Sequence, residues 1–185
     1  MVAILIEGPA VEPIELAALR AALRLDSNVE DALLADLLKA ARVHVEDLTG
    51  RKLIAQEWRI VVGAWPRERM LRLPVSPVIA VERVAVADAG GDFTDLPLDT
   101  VRLLAGDPPQ LLVDDAAPAP GRARDGIRID VLAGYGAAPG DVPAPLVEAT
   151  RRIVARWFEH RGDGPESGLP ADIASLVAPY RIARL

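Results

Sequence analysis

The sequence predicts an α+β protein in which helical segments at both ends flank a β-rich middle. Apolar residues recur at helical spacing over residues 13–50 and again over 143–179. Short β-branched runs separated by Pro, Gly and Asp fill residues 52–134. No helical run separates these β runs, so we expect antiparallel pairing. The N- and C-terminal helices should therefore form a bundle with an inserted antiparallel β region, all within one domain of residues 1–185.

Two helices are predicted in the first 50 residues. The first, over residues 13–25, has leucines at every third or fourth position. The second should begin after Ser27 and Glu30, which have the spacing of a capping box, and should end at Thr49-Gly50. Its predicted buried stripe consists of Leu33, Leu37, Ala40, Ala41, His44 and Leu48, widened by Leu34, Leu38 and Val45. Such a wide apolar face indicates contacts on two sides.

Four strands are predicted in the middle of the chain from the alternation of apolar and polar residues. They centre on residues 58–62, 71–73, 83–86 and 127–131. Residues 88–92 (DAGGD) have the composition of a hairpin turn. The segment 114–121 contains two prolines and should form an exposed loop.

Helical spacing returns near the C-terminus. A long helix should begin near Pro143, since a first helical turn tolerates a missing amide hydrogen. A Gly- and Pro-rich link over residues 162–168 should follow it. A short helix between Pro170 and Pro179 and a tail of residues 180–185 complete the expected order.

Composition and charge exclude several classes of function. The 185-residue chain has no cysteine, which excludes disulfide frameworks, cysteine zinc sites, iron–sulfur clusters and thiol catalysis. Its formal net charge is -6, with 21 Lys and Arg against 27 Asp and Glu, which argues against a dedicated duplex-DNA binder. The apolar run in residues 1–8 lacks a basic flank and is too short for a signal peptide or a membrane span, so we expect synthesis in the cytoplasm.

Side chains that carry catalytic or metal chemistry are few and scattered. His44 and His160 lie on different predicted helices, too far apart in sequence for an HExxH metal site. The Gly-Tyr-Gly tripeptide at residues 134–136 follows a strand, but a third glycine comes one residue late for a dinucleotide-binding turn. Five aspartates lie in predicted turns or loops, at Asp92, Asp95, Asp99, Asp114 and Asp115, without the spacing of an EF-hand. We therefore predict no catalytic, cofactor or metal site.

Three arginines share one side of the long C-terminal helix: Arg151, Arg152 and Arg156. They are candidates for contact with DNA phosphates in a channel or with a neighbouring subunit. Glu148 and Glu159 lie on the same helix, and a mixed-charge solvent-facing side is commoner than a nucleic-acid-binding strip.

Several segments, taken in order, carry a resemblance to a known family. They are residues 14–24 with 30–34, residues 40–42 with 45–53 and 56–58, residues 73–74 with 77–78, residues 133–136 with 142–143, residues 157–161, and residues 169–170 with 176–181. Together they resemble the phage head-tail connector proteins, also called head-completion or adaptor proteins, of tailed phages, prophages and gene transfer agents. The resemblance spans nearly the whole chain, although the β segment is long for the simplest, mainly helical members.

The resemblance implies a structural subunit rather than an enzyme, without a cofactor. Such connectors form a ring, usually of twelve copies, beneath the portal at the vertex where DNA leaves the head, and they receive the next component on the tail side. The implied partners are the portal protein, further copies of the chain, a downstream stopper or tail component, and DNA in transient non-specific contact, with no membrane. A net acidic subunit suits a channel that DNA must traverse, because each neutralised phosphate adds affinity.

The resemblance also implies that the C-terminal segment reaches the portal. The predicted portal-binding residues are Leu176, Tyr180, Arg181 and Arg184, since aromatic and arginine side chains often dominate interfaces. The alternative to a connector is a small enzyme or a regulatory module that binds an unknown ligand. A pocket that gathered Asp92, Asp95 or His160 would favour that alternative, whereas ring formation or portal binding would favour the connector.

Overall fold

The computed structural model describes residues 1–160 and 169–182, and over these residues it contains four α-helices and eight β-strands. The helices are α1 (Leu16–Ala22), α2 (Asp31–Thr49), α3 (Ala144–Glu159) and α4 (Ala171–Val177). The strands are β1 (Val2–Glu7), β2 (Gln56–Val62), β3 (Met70–Arg72), β4 (Val78–Ala87), β5 (Phe93–Asp95), β6 (Val101–Leu104), β7 (Gln110–Val113) and β8 (Ile127–Ala133). This composition confirms the predicted α+β class. None of the described helices is long and apolar enough to span a membrane.

The chain divides into two compact units. The β unit comprises Met1–Ala10 and Ala55–Tyr135, and it contains all eight strands described above. The helical unit comprises Val11–Ile54 and the described residues from Gly136 onward. That the whole chain acts as a single domain stays a prediction.

Two antiparallel sheets form the β unit. One has five strands in the order β1-β2-β8-β4-β5, and the other has three strands in the order β3-β7-β6. All pairings between these strands are antiparallel, as the absence of crossover helices predicts. Buried and partly exposed residues alternate along β8, and its Ile129 joins Ile60 of β2 and Val84 of β4 in an apolar core with Leu71 and Leu111 of the smaller sheet.

The hairpin predicted at residues 88–92 connects β4 to β5. The Asp88 carboxylate accepts hydrogen bonds from the amides of Gly91 at 2.8 Å and Asp92 at 3.0 Å. Gly91 has φ of +98°, a conformation that glycine adopts without the clash of a Cβ atom. The turn residues at these positions are therefore the ones that the backbone requires.

The helical unit packs α2 against α1, α3 and α4, and α3 against α4. The buried face of α2 differs from the predicted stripe, because it consists of Leu34, Leu38, Ala41, Arg42, Val45, Glu46 and Thr49. Leu33 and Ala40 are exposed, and Leu37, His44 and Leu48 are only half-buried. Four members of the predicted stripe are buried as expected, at Leu34, Leu38, Ala41 and Val45. The rest of the stripe was wrong, because the buried side of the helix also carries two charged side chains, Arg42 and Glu46.

The helix ends follow the sequence signals in part. Gly50 ends α2 as predicted, with φ of +77° and its amide bonded to the Glu46 carbonyl at 2.8 Å. The predicted capping box at its other end is wrong, because a turn closed by the Asp31 amide and the Asn28 carbonyl precedes the helix, and Glu30 at the N-cap makes no side-chain cap. The link predicted at residues 162–168 lies outside the described residues.

Candidate functional site

The segment that follows α4 lies along the C-terminal end of α2 in the helical unit. The Arg51 Nε donates a hydrogen bond to the Tyr180 carbonyl at 2.6 Å, and the Ile182 amide donates to the Thr49 carbonyl at 2.9 Å. The Ile182 side chain packs over Gly50, where an added Cβ would lie 3.4 Å from Ile182 Cδ1. The backbone of this segment is thus fixed at both Tyr180 and Ile182.

The residues predicted to bind the portal differ in their exposure. Leu176, on α4, and Tyr180, in the 3-10 turn Ala178–Tyr180, are half-buried, and Arg181 is exposed. Arg184 lies outside the described residues. Tyr180 and Arg181 therefore lie on the segment whose backbone is held by Arg51 and Thr49, and Leu176 lies on the preceding helix, α4.

Arg151 and Arg152, singled out on α3 together with Arg156, pair with carboxylates of the same unit. Arg151 Nη1 lies 2.6 Å from Glu148 Oε2, and Arg152 Nε lies 2.9 Å from Glu148 Oε1. Arg152 also bridges to α4, with its Nη1 2.9 Å from Asp172 Oδ2. Hydrogen bonds from Arg152 lower the pKa of both Glu148 and Asp172. Arg156 is partly exposed on the same helix. The positive charge of Arg151 and Arg152 is therefore largely compensated within the subunit.

A buried ionic network, which the sequence analysis did not identify, links three parts of the helical unit. Arg42 on α2 donates to Glu12 at 2.8 Å and to Glu46, one turn further along, at 3.2 Å. Glu46 also accepts from the Leu53 amide at 3.1 Å, and its other oxygen lies 3.5 Å from Lys52 Nζ. Burial opposes the Arg42 charge, but the hydrogen bond with Glu12 and the attraction of both carboxylates outweigh it and raise the Arg42 pKa. An Arg and a Glu four residues apart on a helix were the available signal.

The residues that would favour an enzyme lie on separate elements, with Asp92 and Asp95 in the β unit and His160 in the helical unit. Asp92 lies at the β4–β5 hairpin, Asp95 pairs with Arg83, and His160 follows the last residue of α3. Among residues 1–160 and 169–182, no group of three His, Asp or Glu side chains is placed to hold a metal ion. The tripeptide at residues 134–136 follows β8, which runs antiparallel to both of its neighbours and so does not form a dinucleotide-binding βαβ unit.

The half-buried His44 lies beside Trp157 of α3 in a shallow hollow. The centroids of the two rings are 5.8 Å apart with a 52° tilt. Asp36, Lys39 and Val43 of α2 line the same hollow. It is an open surface of α2 and α3 that carries both charged and apolar side chains, rather than an enclosed ligand cavity.

Opposite charges alternate across the outer face of the five-stranded sheet. Arg59 of β2 makes a bidentate pair with Asp130 of β8, at 2.7 and 2.8 Å, and Arg83 of β4 pairs with Asp95 of β5 at 2.7 Å. The hydrogen bond with Asp130 raises the Arg59 pKa. In register, the row runs Ile4, Arg59, Asp130, Arg83, so the charges stop at β1. We call this row the charge ladder.

Comparisons with known proteins give one family match and several similar solved structures. Residues 13–89 match the family described as phage gp6-like head-tail connector protein. A chain from the neck of an empty gene transfer agent particle, computed with C6 symmetry, is 28% identical over 100% of this chain and 97% of its own, with a TM-score of 0.85.

Two further solved structures give the same likeness. A chain of the virion of a native gene transfer agent particle is 28% identical, with coverage of 100% and 97% and a TM-score of 0.83. A chain of the neck of a native particle computed with C12 symmetry is 29% identical over 98% of this chain and 97% of its own, with a TM-score of 0.75. Comparison with curated protein sequences gave no match.

Proposed function

We propose that this structural head-tail connector subunit forms a ring of identical copies, twelve in number, beneath the portal of a phage-like particle. The observation that carries the proposal is the full-length likeness to a neck chain of a gene transfer agent particle, at 28% identity and a TM-score of 0.85. The C6 and C12 symmetries of the related necks support a ring. The place of the protein is accordingly the head-tail junction, where its ring would join the DNA-filled head to the tail.

We infer that this role requires no reaction. The matched family and the structural relatives are components of phage-like particles. Several of the carboxylates and guanidinium groups described above are held in ion pairs with one another. No observation favours a small enzyme or a ligand-binding regulatory module over the connector.

The C-terminal segment is the proposed contact with the portal, through Leu176, Tyr180, Arg181 and Arg184. Its support is the exposure of Arg181 on a backbone that Arg51 and Thr49 already hold. A segment fixed before binding loses less conformational entropy on docking. A downstream stopper or tail component would bind the ring on the tail side.

DNA should pass through the ring with only weak contact. The net charge of -6 disfavours accumulation of DNA phosphates. Arg151 and Arg152 are already paired with Glu148 and Asp172, which further lowers their affinity for phosphate. Together with Arg156 they are proposed to face the channel or a neighbouring subunit.

Electron microscopy of particles from a producing strain that lacks this gene tests the proposal. We expect separate heads and tails, and joined particles again when the wild-type gene is supplied. Supplying Arg181→Glu should restore at most a tenth as many joined particles, because the reversed charge opposes portal contact. Arg72→Glu makes the same change at an exposed position of the β unit and should restore them fully.

Two results would count against the proposal. Joined particles in the strain without the gene would refute the connector role itself. Full restoration by Arg181→Glu would refute the portal contact and leave the connector role intact. A point variant is preferred to truncation after Pro179, because truncation also removes the contacts of Tyr180 and Ile182 with the end of α2.

A further inference from the structure

We propose that β1 forms one half of a head-to-tail contact between neighbouring copies, and that the opposite edge of the same sheet, at β4 and the short turn Leu98–Thr100, forms the other half. The occupant of the β1 edge is thus a second copy of this chain. This inference rests on the proposed ring and specifies the surfaces that close it.

The first observation is the apolar character of β1. In the described part of the chain, β1 pairs with β2 alone, so the backbone groups on its other side are open. Val2, Ile4, Leu5 and Ile6 are between 46% and 60% exposed. Open edges are usually protected by charge, proline or a cover, because they otherwise pair with another chain. The run Val2–Ile6 has no such protection, which indicates that a partner covers it.

The second observation is where the charge ladder ends. Arg59 and Asp130 occupy neighbouring strands in one row, and the next position in that row, on β1, is Ile4. The groove beside it is lined by Val2, Ile4 and Ile6 together with Arg122, Asp125 and Arg128. Arg59 is neutralised by Asp130, and Arg128 stacks over the Phe93 ring at 3.8 Å. With Arg59 compensated, the groove beside β1 is an apolar strip bordered by two basic side chains, Arg122 and Arg128, and one acidic side chain, Asp125.

The opposite edge of the sheet offers the complementary character. β5 pairs with β4 only at Ala85–Ala87, and the turn Leu98–Thr100 packs beside β4. Ile79 and Leu98 are 45% and 47% exposed. Asp95 is compensated by Arg83, and the further exposed acidic residues of this edge are Glu82 and Asp99. Apolar side chains thus occur with acidic ones here and with basic ones at β1, which favours contact between the two edges.

A second copy fits this pair of surfaces better than an unrelated protein. Each subunit carries both halves at opposite edges of one sheet, and a contact between unlike surfaces of identical subunits closes into a ring when the rotation allows. The C12 symmetry of a related neck supports such a closed ring. Each subunit can therefore contact one neighbour through its β1 edge and the other neighbour through its β4 edge.

Disulfide cross-linking in assembled particles tests the contact. The natural chain has no cysteine, so introduced thiols are its only ones. The double variants Ile4→Cys/Leu98→Cys and Ile6→Cys/Ile79→Cys should each be oxidised in joined particles and run on a denaturing gel without reductant. At least one of the two double variants should give a series of gel bands from covalent dimers and higher multiples. Bonding within one chain is excluded, because β2 and β8 separate the edges by about 14 Å.

Matched variants separate this contact from a general effect. The single variants should give no such series of bands, and neither should Ile4→Cys/Met70→Cys, which moves the second thiol to an exposed position of the other sheet. Ile4→Asp should reduce joined particles at least tenfold, because it faces the acidic edge of the next copy. Ile4→Lys should reduce them less, and Met70→Asp should leave them unchanged.

Several results would overturn the contact without touching the connector role. They are joined particles that contain the double variants but give no series of bands from either pair, equal loss with Ile4→Asp and Ile4→Lys, and cross-linking of Ile4→Cys to a different particle protein. The last result would assign β1 to another neck component. Joined particles without any copy of the chain would instead refute the proposed function.

Discussion

The helical unit and the β unit treat ionic groups in opposite ways. The helical unit buries Arg42 and Glu46, which retain 4% and 3% exposure. Among the described residues of the β unit no charged side chain is buried, and the Arg59–Asp130 pair lies on the outer face of the sheet with side chains 27% and 19% exposed. Both arrangements have hydrogen-bonded partners at close distance, so the difference lies in the surroundings of the charges rather than in their geometry.

That difference gives the two sets of charges different consequences. A buried pair gains little net stability, because desolvation offsets its attraction, yet removing one member leaves the other uncompensated. The Arg42–Glu46 network joins Glu12, α2 and the Lys52–Leu53 segment, so it fixes three segments in one arrangement. A partly exposed pair contributes less and is screened by salt, so the charge ladder mainly keeps the sheet face polar.

The largest expected effect comes from Glu46→Gln. The amide can still accept from the Leu53 amide, but it cannot neutralise Arg42 and Lys52. We expect a loss on the order of 3 kcal/mol in the free energy of unfolding. Urea unfolding followed by far-ultraviolet circular dichroism measures it. Asp36→Asn, on the exposed side of the same helix, should change stability by no more than about 0.5 kcal/mol. Equal losses for the two variants would contradict the role of burial.

A smaller effect is expected from the same chemical change in the charge ladder. Asp130→Asn removes the charge that Arg59 pairs with, at a partly exposed site. The expected loss is about 1 kcal/mol or less, and it should shrink in high salt because exposed charges are screened. The Glu46→Gln loss should persist in high salt. Unfolding curves at low and high salt check both statements, and a loss from Asp130→Asn that ignores salt would contradict them.

The contrast between the units also explains which parts of the fold were predictable. Strands β2 and β8 were predicted because one face is buried, which produces alternation in the sequence. Strand β1 was missed because its side chains are exposed and its apolar run does not alternate. The buried face of α2 was predicted only in part, because the stripe was drawn from apolar spacing, whereas Arg42 and Glu46 lie on the buried face as well. Arg42 pairs there with both Glu46 and Glu12.

The candidate site was predictable only where it depends on local sequence. The order of motifs along the sequence predicted where the C-terminal segment and the long arginine-bearing helix occur in the chain. That Ile182 docks on Gly50 and that Arg152 reaches Asp172 depend on how the helices of the helical unit pack. The first contact joins residues that are 132 positions apart in the sequence, and the second joins residues that are 20 positions apart. Neither the periodicity nor the composition of the sequence indicates such contacts.

The smallest effect is expected at the exposed ion pairs of the helical unit, which can be compared with the buried pairs of Glu46 in the same unit. Arg152 lowers the pKa of Glu148 and of Asp172, so Arg152→Gln should raise both values. Asp172 should move further towards its ordinary value, because Glu148 keeps Arg151 as a partner. Carboxyl NMR titration measures both shifts, and Arg72→Gln should cause neither.

The direction of the accompanying stability change follows from linkage. A carboxyl whose pKa is lower in the folded than in the unfolded protein stabilises the fold above its unfolded pKa and loses that contribution as the pH falls through the folded value. The wild type should therefore melt slightly above Arg152→Gln at neutral pH, and the two melting curves should converge in acid. A gap that widens as the pH falls, or an Asp172 pKa that stays unchanged in the variant, would show that Arg152 does not hold these carboxylates. At these exposed positions charge pairing therefore adds a small, pH-dependent contribution to stability, whereas Glu46 compensates the buried charge of Arg42 and contacts the Lys52–Leu53 segment.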